Sequence, residues 1–159
     1  MRHARNIIAK CGPETRECAA FAQWFRLKYP IEWRATTHIP NERQDKIDKI
    51  ILAELGTKPG ASDYGVFVPR HGYAGMWLEG KRTGATWSDV TPDQRLWLST
   101  MSEAGFFPAV GYGGDHMREI VDLYLGREET FGPALMRHHY GARISAKRER
   151  TPGETHATA

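Results

Sequence analysis

The stretch "DYGVFVPRHGYAGMWLEGK", Asp63 to Lys81, decides how this chain is to be folded. Two runs of strand-forming residues, "DYGVFVP" and "YAGMWLEGK", flank "RHG", which is the pattern of a β-hairpin. Side chains alternate faces along a strand, so Trp77, Glu79 and Lys81 share one side while Met76, Leu78 and Gly80 share the other. A turn centred near His71 and Gly72 makes paired residue numbers sum to about 142 or 143, which sets Asp63 across from Glu79 and Gly80. Two carboxylates and a lysine then meet at the open end of the hairpin. Like charges directly opposed on neighbouring strands are destabilising. A hard divalent cation resolves that repulsion, because Mg²⁺ takes one or two carboxylates together with water and phosphate oxygens. Gly80 has no side chain to shield its carbonyl, which offers a further oxygen. Glu-x-Lys on a strand is common and usually solvated, and an Asp after a Gly/Ser-rich loop is usually a turn residue or cap. Both together, in this order, are far more specific than either.

Outward from the hairpin, helices and strands alternate. Pro13 opens a helix through about Lys28, with Phe21, Trp24 and Phe25 at helical spacing. "IEWRATTHI", Ile31 to Ile39, reads as a strand stopped by Pro40. Glu42 to Leu55 reads as a helix with Ile47, Ile50, Ile51 and Leu55 on one stripe, ended by Gly56. "GTKPGAS" is a loop. Thr91 is placed as an N-cap, with Pro92 in the first turn of a helix that ends at Gly105. "FFPAVGY", Phe106 to Tyr112, is a fourth strand, and Asp115 to Leu125 a closing helix bearing Met117, Ile120, Val121 and Tyr124. This mixture predicts an α/β fold whose sheet has an antiparallel portion and helices on both faces.

After Gly126 the apolar pattern fades. "MRHHYGARISAKRER", Met136 to Arg150, is basic, and the ending is small and polar, so the last dozen residues are predicted to be disordered. The organisation expected is one domain over 1–126 and a basic extension over 127–159. The 159 residues are 40% hydrophobic and 26% charged, an ordinary balance for one soluble domain. No apolar run approaches the roughly 18 residues of a membrane helix, and the N-terminus lacks the apolar core of a secretory signal. Cys11 and Cys18 make no disulfide scaffold and match no common zinc spacing, so a reducing cytoplasm is the default compartment. A net charge of +3, from 22 basic and 19 acidic residues, is too mild to identify a nucleic-acid partner by itself.

The segments "GTKPGASDYGVF", "GYAGMWLEGKRTG" and "TPDQRLWLSTMSEAGFFPAVGYG" together resemble the VRR-NUC branch of the PD-(D/E)XK nuclease superfamily. Asp63 matches the Asp of the "PD" element, although Ser62 stands where proline is usual. Glu79, Gly80 and Lys81 match E-x-K, and Gln94 matches the glutamine that opens the following helix. "THIPNE", Thr37 to Glu42, is similar to the upstream segment, so the resemblance covers roughly Pro13 to Leu125.

The resemblance implies a restriction-endonuclease-like core with a mixed four-stranded sheet flanked by helices. It implies a site in which Asp63, Glu79 and the Gly80 carbonyl hold Mg²⁺, with Mn²⁺ as a substitute. An acid on the first helix completes such a site. Spacing to Trp24 favours Glu14, with Glu17 close behind, although Cys18 falls where glutamine is frequent. Lys81 would position water or offset transition-state charge, and Gln94 would support the site. Lys58, Arg70, His71, Arg82 and Arg95 could hold phosphates, and the basic stretch Arg137 to Arg150 could track a backbone. Each of these is also an ordinary surface residue. His138 and His139 are adjacent, so on a helix they diverge, and they are not read as metal ligands.

Stand-alone phage and bacterial relatives imply a homodimer acting on branched DNA, such as a four-way (Holliday) junction. The reading is therefore a metal-dependent, structure-selective endodeoxyribonuclease with no membrane partner. The alternatives are a catalytically inactive module that kept the fold and a small nucleic-acid-binding protein using its basic tail.

Overall fold

A computed structural model describes residues 11–39, 50–51, 54–126 and 132–139. The first helix, α1, spans Pro13–Lys28, with proline in its opening turn and Arg26 and Lys28 in its last, where cations suit the carbonyl end. It buries Phe21 and Phe25. The strand expected over Ile31–Ile39 is shorter than its alternating pattern suggests. Glu32–Ala35 forms a 3-10 turn, and only Thr36–His38 is strand β1. Local bonding accounts for the difference: Trp33 N–H donates to Tyr29 O, the Thr36 hydroxyl donates to Glu32 O, and the Trp33 ring lies 5.5 Å from Phe25. These contacts hold Glu32–Ala35 coiled.

The hairpin forms as its sequence predicts. Strand β2 is Tyr64–Val66 and β3 is Met76–Lys81, antiparallel, with Tyr64 opposite Leu78, Gly65 opposite Trp77 and Val66 opposite Met76. Each pair sums to 142, within the expected register. Nearer the turn, Arg70 bridges Tyr73, and that sum of 143 marks a one-residue bulge. His71 and Gly72 take positive φ angles of 53° and 82°, as a two-residue hairpin turn of the primed type requires.

Thr91 caps helix α2, Pro92–Glu103, and Gly105 leaves it at φ 83°. Strand β4, Phe107–Tyr112, then runs parallel to β3, and α3, Gly114–Leu125, follows. The sheet order is β1-β2-β3-β4, mixed in direction, with β3 at its centre pairing antiparallel on one side and parallel on the other. The expected α/β class and four-stranded mixed sheet are both present.

The two faces of the sheet have different jobs. Met76 and Leu78 join Phe21, Phe25, Tyr64, Phe107, Ile120 and Tyr124 in the main core, beneath α1 and α3. On the other face Val90, Leu98 and Val110 form a smaller cluster under α2, and Trp77 meets Trp97 edge-on at 5.2 Å. Met76–Gly80 are all buried, because β3 is covered on both faces.

Past Gly126 the sequence has no periodicity, yet Gly132–Met136 is a short helix, α4, whose Leu135 is 1% exposed in the main core. One buried residue leaves no repeat to read. Of the helix predicted over Glu42–Leu55, most lies outside the described residues. Ile50, Ile51 and Leu55 are 64%, 51% and 77% exposed, so that part of the apolar stripe faces outward. The stretch predicted to be disordered also lies outside the described residues. No helix among the described residues is long and apolar enough to cross a membrane.

Candidate active site

Strand β3 delivers Glu79 to the face covered by α2, where its side chain is 1% exposed. Across the hairpin, one step beyond the paired residues, Asp63 follows the glycine-rich loop. Its Oδ2 accepts the Gly80 N–H at 2.8 Å. Gly80 makes this approach feasible: a Cβ there would lie 3.2 Å from Asp63 Oδ2 and 3.1 Å from the Met117 methyl. Lys81 Nζ stands 3.1 Å from Glu79 Oε1, with 12% of its side chain exposed. The two acids and the lysine are thus brought together.

Gln94 fills two roles with one side chain. Its Oε1 accepts the Thr91 N–H at 2.9 Å, and its backbone N–H donates to the Thr91 hydroxyl, closing a capping box at the start of α2. Its Nε2 donates to Glu79 Oε1. Gln94 thus opens the helix, as its capping reading expects, and the same side chain also bonds Glu79. Glu79 Oε1 is therefore held by an amide and an ammonium, while Oε2 is buried and has no hydrogen-bond partner among the described residues. A buried, half-satisfied carboxylate is costly. Burial pushes the Glu79 carboxyl up to about 8, the Asp63 charge adds to the rise, and Lys81 pulls it back.

The two acids offered by α1 separate here. Glu14 lies close enough for its charge to raise the Glu79 pKa further. Glu17 is engaged elsewhere, with its Oε2 accepting the Thr83 N–H at 3.0 Å just past the end of β3. Ser62, in the position where proline was expected, is fully buried, and its hydroxyl has no partner among the described residues. The sequence marked it only as a departure from the proline usual at that position.

The basic residues divide by position. Lys58 and Arg82 are exposed on segments adjoining the acid pair. Arg95 stacks over the Trp87 ring at 5.1 Å and donates to Trp87 O, so it braces the loop before α2. Arg70 and His71 sit at the turn, at the opposite end of β2 from Asp63. Arg70 lies 4.0 Å from Glu32, and His71 Nε2 is 3.0 Å from Tyr124 O.

No known family profile matches the sequence, and no curated protein matches it. Among solved structures, one described as a "VRR_NUC domain protein" matches with a TM-score of 0.62 and 19% identity, over 73% of this chain and 90% of that one. The chain has the VRR_NUC fold. Shared topology at this low identity carries the architecture and not the chemistry. Within the VRR_NUC fold described above, Asp63, Glu79, Lys81 and Gln94 all meet at the open end of one hairpin.

The loop before Asp63 is fixed to this arrangement by Gly60. Its φ of 76° suits glycine, and a Cβ at Gly60 would collide with the backbone of Asp93 and Gln94. Gly60→Ala is expected to destabilise the protein by about 2 kcal/mol or more, from strain and overpacking together. Thermal unfolding should therefore drop by several degrees. A melting point within a degree of the parent would show that the loop does not rest on α2.

Proposed function

We propose that this chain is a divalent-metal-dependent nuclease that hydrolyses DNA phosphodiester bonds, and that it acts as a homodimer on branched DNA such as a four-way junction. The observation that carries this reading is the Glu79 carboxylate. It is buried beside Asp63, clamped at one oxygen by Lys81 and Gln94, and without a partner at the other among the described residues. Carboxylates crowded in this way suit a hard cation. Asp63 and Glu79 would hold Mg²⁺, or Mn²⁺ in its place, with the Gly80 carbonyl and Glu14 as further oxygens. Such a cation supplies polarisation of the scissile phosphate and a lowered pKa for bound water.

The remaining groups act around it. Gln94 holds Glu79 by Oε1, which would leave Oε2 as the oxygen available to the cation. Lys81 holds the attacking water or offsets charge growing on the phosphate. Lys58 and Arg82 hold flanking phosphates, with the basic residues of the 127–159 extension reaching further along the backbone. Support for the homodimer comes from Ile50, Ile51 and Leu55, an exposed apolar strip suited to a second copy. Two-fold symmetry lets each subunit reach an equivalent strand of a junction.

Cleavage of a labelled four-way junction, a linear duplex and a single strand, each in Mg²⁺, Mn²⁺ and EDTA, tests this directly. Paired cuts in the junction that vanish in EDTA are expected, with a dimer by light scattering. Cutting of linear duplex alone would keep the chemistry and overturn the branched substrate. Binding without cleavage in either metal would overturn the nuclease reading in favour of an inactive binding module.

A further inference from the structure

A second cluster of ligating side chains lies at the outer edge of β4, where His139 bridges Ala109, apart from the acid pair. His116 and Glu119 sit three residues apart on α3, so they share one helix face. His138, just past α4, comes to meet them. His116 Nε2 is 3.0 Å from His138 Nδ1, and His138 Nε2 is 3.8 Å from Glu119 Oε1. One ligand atom from each of the three lies within 4.8 Å of the others. His138 and His139 lie past the end of α4, not on it; His138 joins this cluster, against the expectation that neither would ligate, and His139 turns instead toward Tyr73 and Phe107.

We propose that His116, Glu119 and His138 form a binding site for a transition-metal ion of the zinc type, which staples the segment 132–139 to α3. Two imidazoles and one carboxylate are a donor set for Zn²⁺ and unlike the all-oxygen site at Asp63 and Glu79. Two ligands of a tetrahedral zinc ion stand roughly 3.3 Å apart, given bonds of about 2.0–2.1 Å. The His116–His138 spacing is near that value. Glu119 is 61% exposed and His138 15%, leaving one side open for water as a fourth ligand.

The metal-free arrangement explains itself as a hydrogen-bonded chain. Tyr112 N–H donates to His116 Nδ1 at 3.1 Å, which leaves the His116 proton on Nε2, facing His138 Nδ1. The remaining His138 proton, on Nε2, faces Glu119. For metal to bind at His116 Nε2, that proton must move to Nδ1, and the Tyr112 hydrogen bond must open. The exchange gives up two hydrogen bonds, Tyr112 to His116 and His116 to His138, against three metal–ligand bonds. Because α3 and the segment after α4 are distant in sequence, the ion would cross-link them and hold Leu135 in the core.

The test uses full-length Asp63→Asn protein, stripped of metal, with Zn²⁺ alone as the probe. Disabling the acid pair makes the result independent of the nuclease reading. One equivalent of Zn²⁺ is expected to bind, to raise the melting temperature and to slow amide hydrogen exchange across 132–139. His138→Ala should weaken binding about 100-fold, and the conservative Glu119→Gln, at an exposed position that cannot upset the core, about tenfold. Absence of Zn²⁺ binding, or binding untouched by both substitutions, would overturn the site. Binding without slowed exchange in 132–139 would overturn the staple.

Discussion

Metal-free protein carrying Glu79→Gln is expected to melt above the parent at pH 8 and to melt with it at pH 4.5. Burial first and the Asp63 charge second raise the Glu79 carboxyl to about 8, above its ordinary value of 4.5. The folded protein thus keeps a proton that the unfolded chain gives up. Stability associated with that proton is fully present below about 4.5 and is lost as pH rises through about 8. Glutamine has nearly the same shape, can still accept from Gln94 and Lys81, and carries no charge to desolvate. At pH 8 the gain is on the order of 1–3 kcal/mol, the cost of a buried unsatisfied group. For a chain of this length that corresponds to about 5 °C. Scanning calorimetry at the two pH values measures it directly. A parent and variant that shift together at both pH values would mean that Glu79 carries no buried charge. The same substitution is expected to lower cleavage at least about 1,000-fold, so stability and activity move in opposite directions.

Asp63→Asn is expected to leave a folded protein with cleavage also reduced at least about 1,000-fold, equivalent to roughly 4 kcal/mol of transition-state stabilisation. The asparagine oxygen can accept the Gly80 N–H as Asp63 Oδ2 does, so the hairpin end keeps its bond. What disappears is one negative charge next to Glu79. The loss predicts its own signature. Without Asp63 the main charge raising Glu79 is gone, so the Glu79 carboxyl should titrate at lower pH in the variant. Carboxyl carbon shifts followed by NMR, alongside single-turnover cleavage, separate the two effects. Cleavage within tenfold of the parent would remove Asp63 from the site. A Glu79 titration unchanged by the substitution would mean that the two acids do not feel each other.

Much of this architecture was legible from local chemistry. The hairpin register followed from the turn at His71 and Gly72, and the Thr91–Pro92 start of α2 followed from capping preference. The four-stranded mixed sheet followed from the order of elements. The misreading at Ile31–Ile39 arose because alternation of apolar residues is satisfied equally by a strand and by a coiled segment whose Trp33 packs on Phe25. Tertiary contact decided that case, and no periodicity carries it.

The site was legible in part, for a related reason. Asp63, Glu79, Gly80 and Lys81 lie on one hairpin, so spacing along two strands brings them together. Gln94 and Glu14 come from helices, and their approach to Glu79 depends on how those helices cross the sheet. Glu17 stood close behind Glu14 by helical spacing, and the bond that draws it away, to the Thr83 N–H, comes from 66 residues away in sequence. His116 and Glu119 have a visible three-residue spacing, but His138 enters only because the chain turns back after α4. Partners that are set by a return of the chain leave no pattern in a single sequence.

On the proposed nuclease reading, the doubled use of Gln94 would tie activity to the first turn of a helix. First turns fray at a free-energy cost well below that of global unfolding. Each time α2 opens at Thr91, the amide that restrains Glu79 leaves with it, and Lys81 alone is left holding that oxygen. Loss of function on warming would then begin as a local event, with the sheet and main core still intact. A thermometer reading the whole molecule and one reading the site would give different temperatures for the same protein.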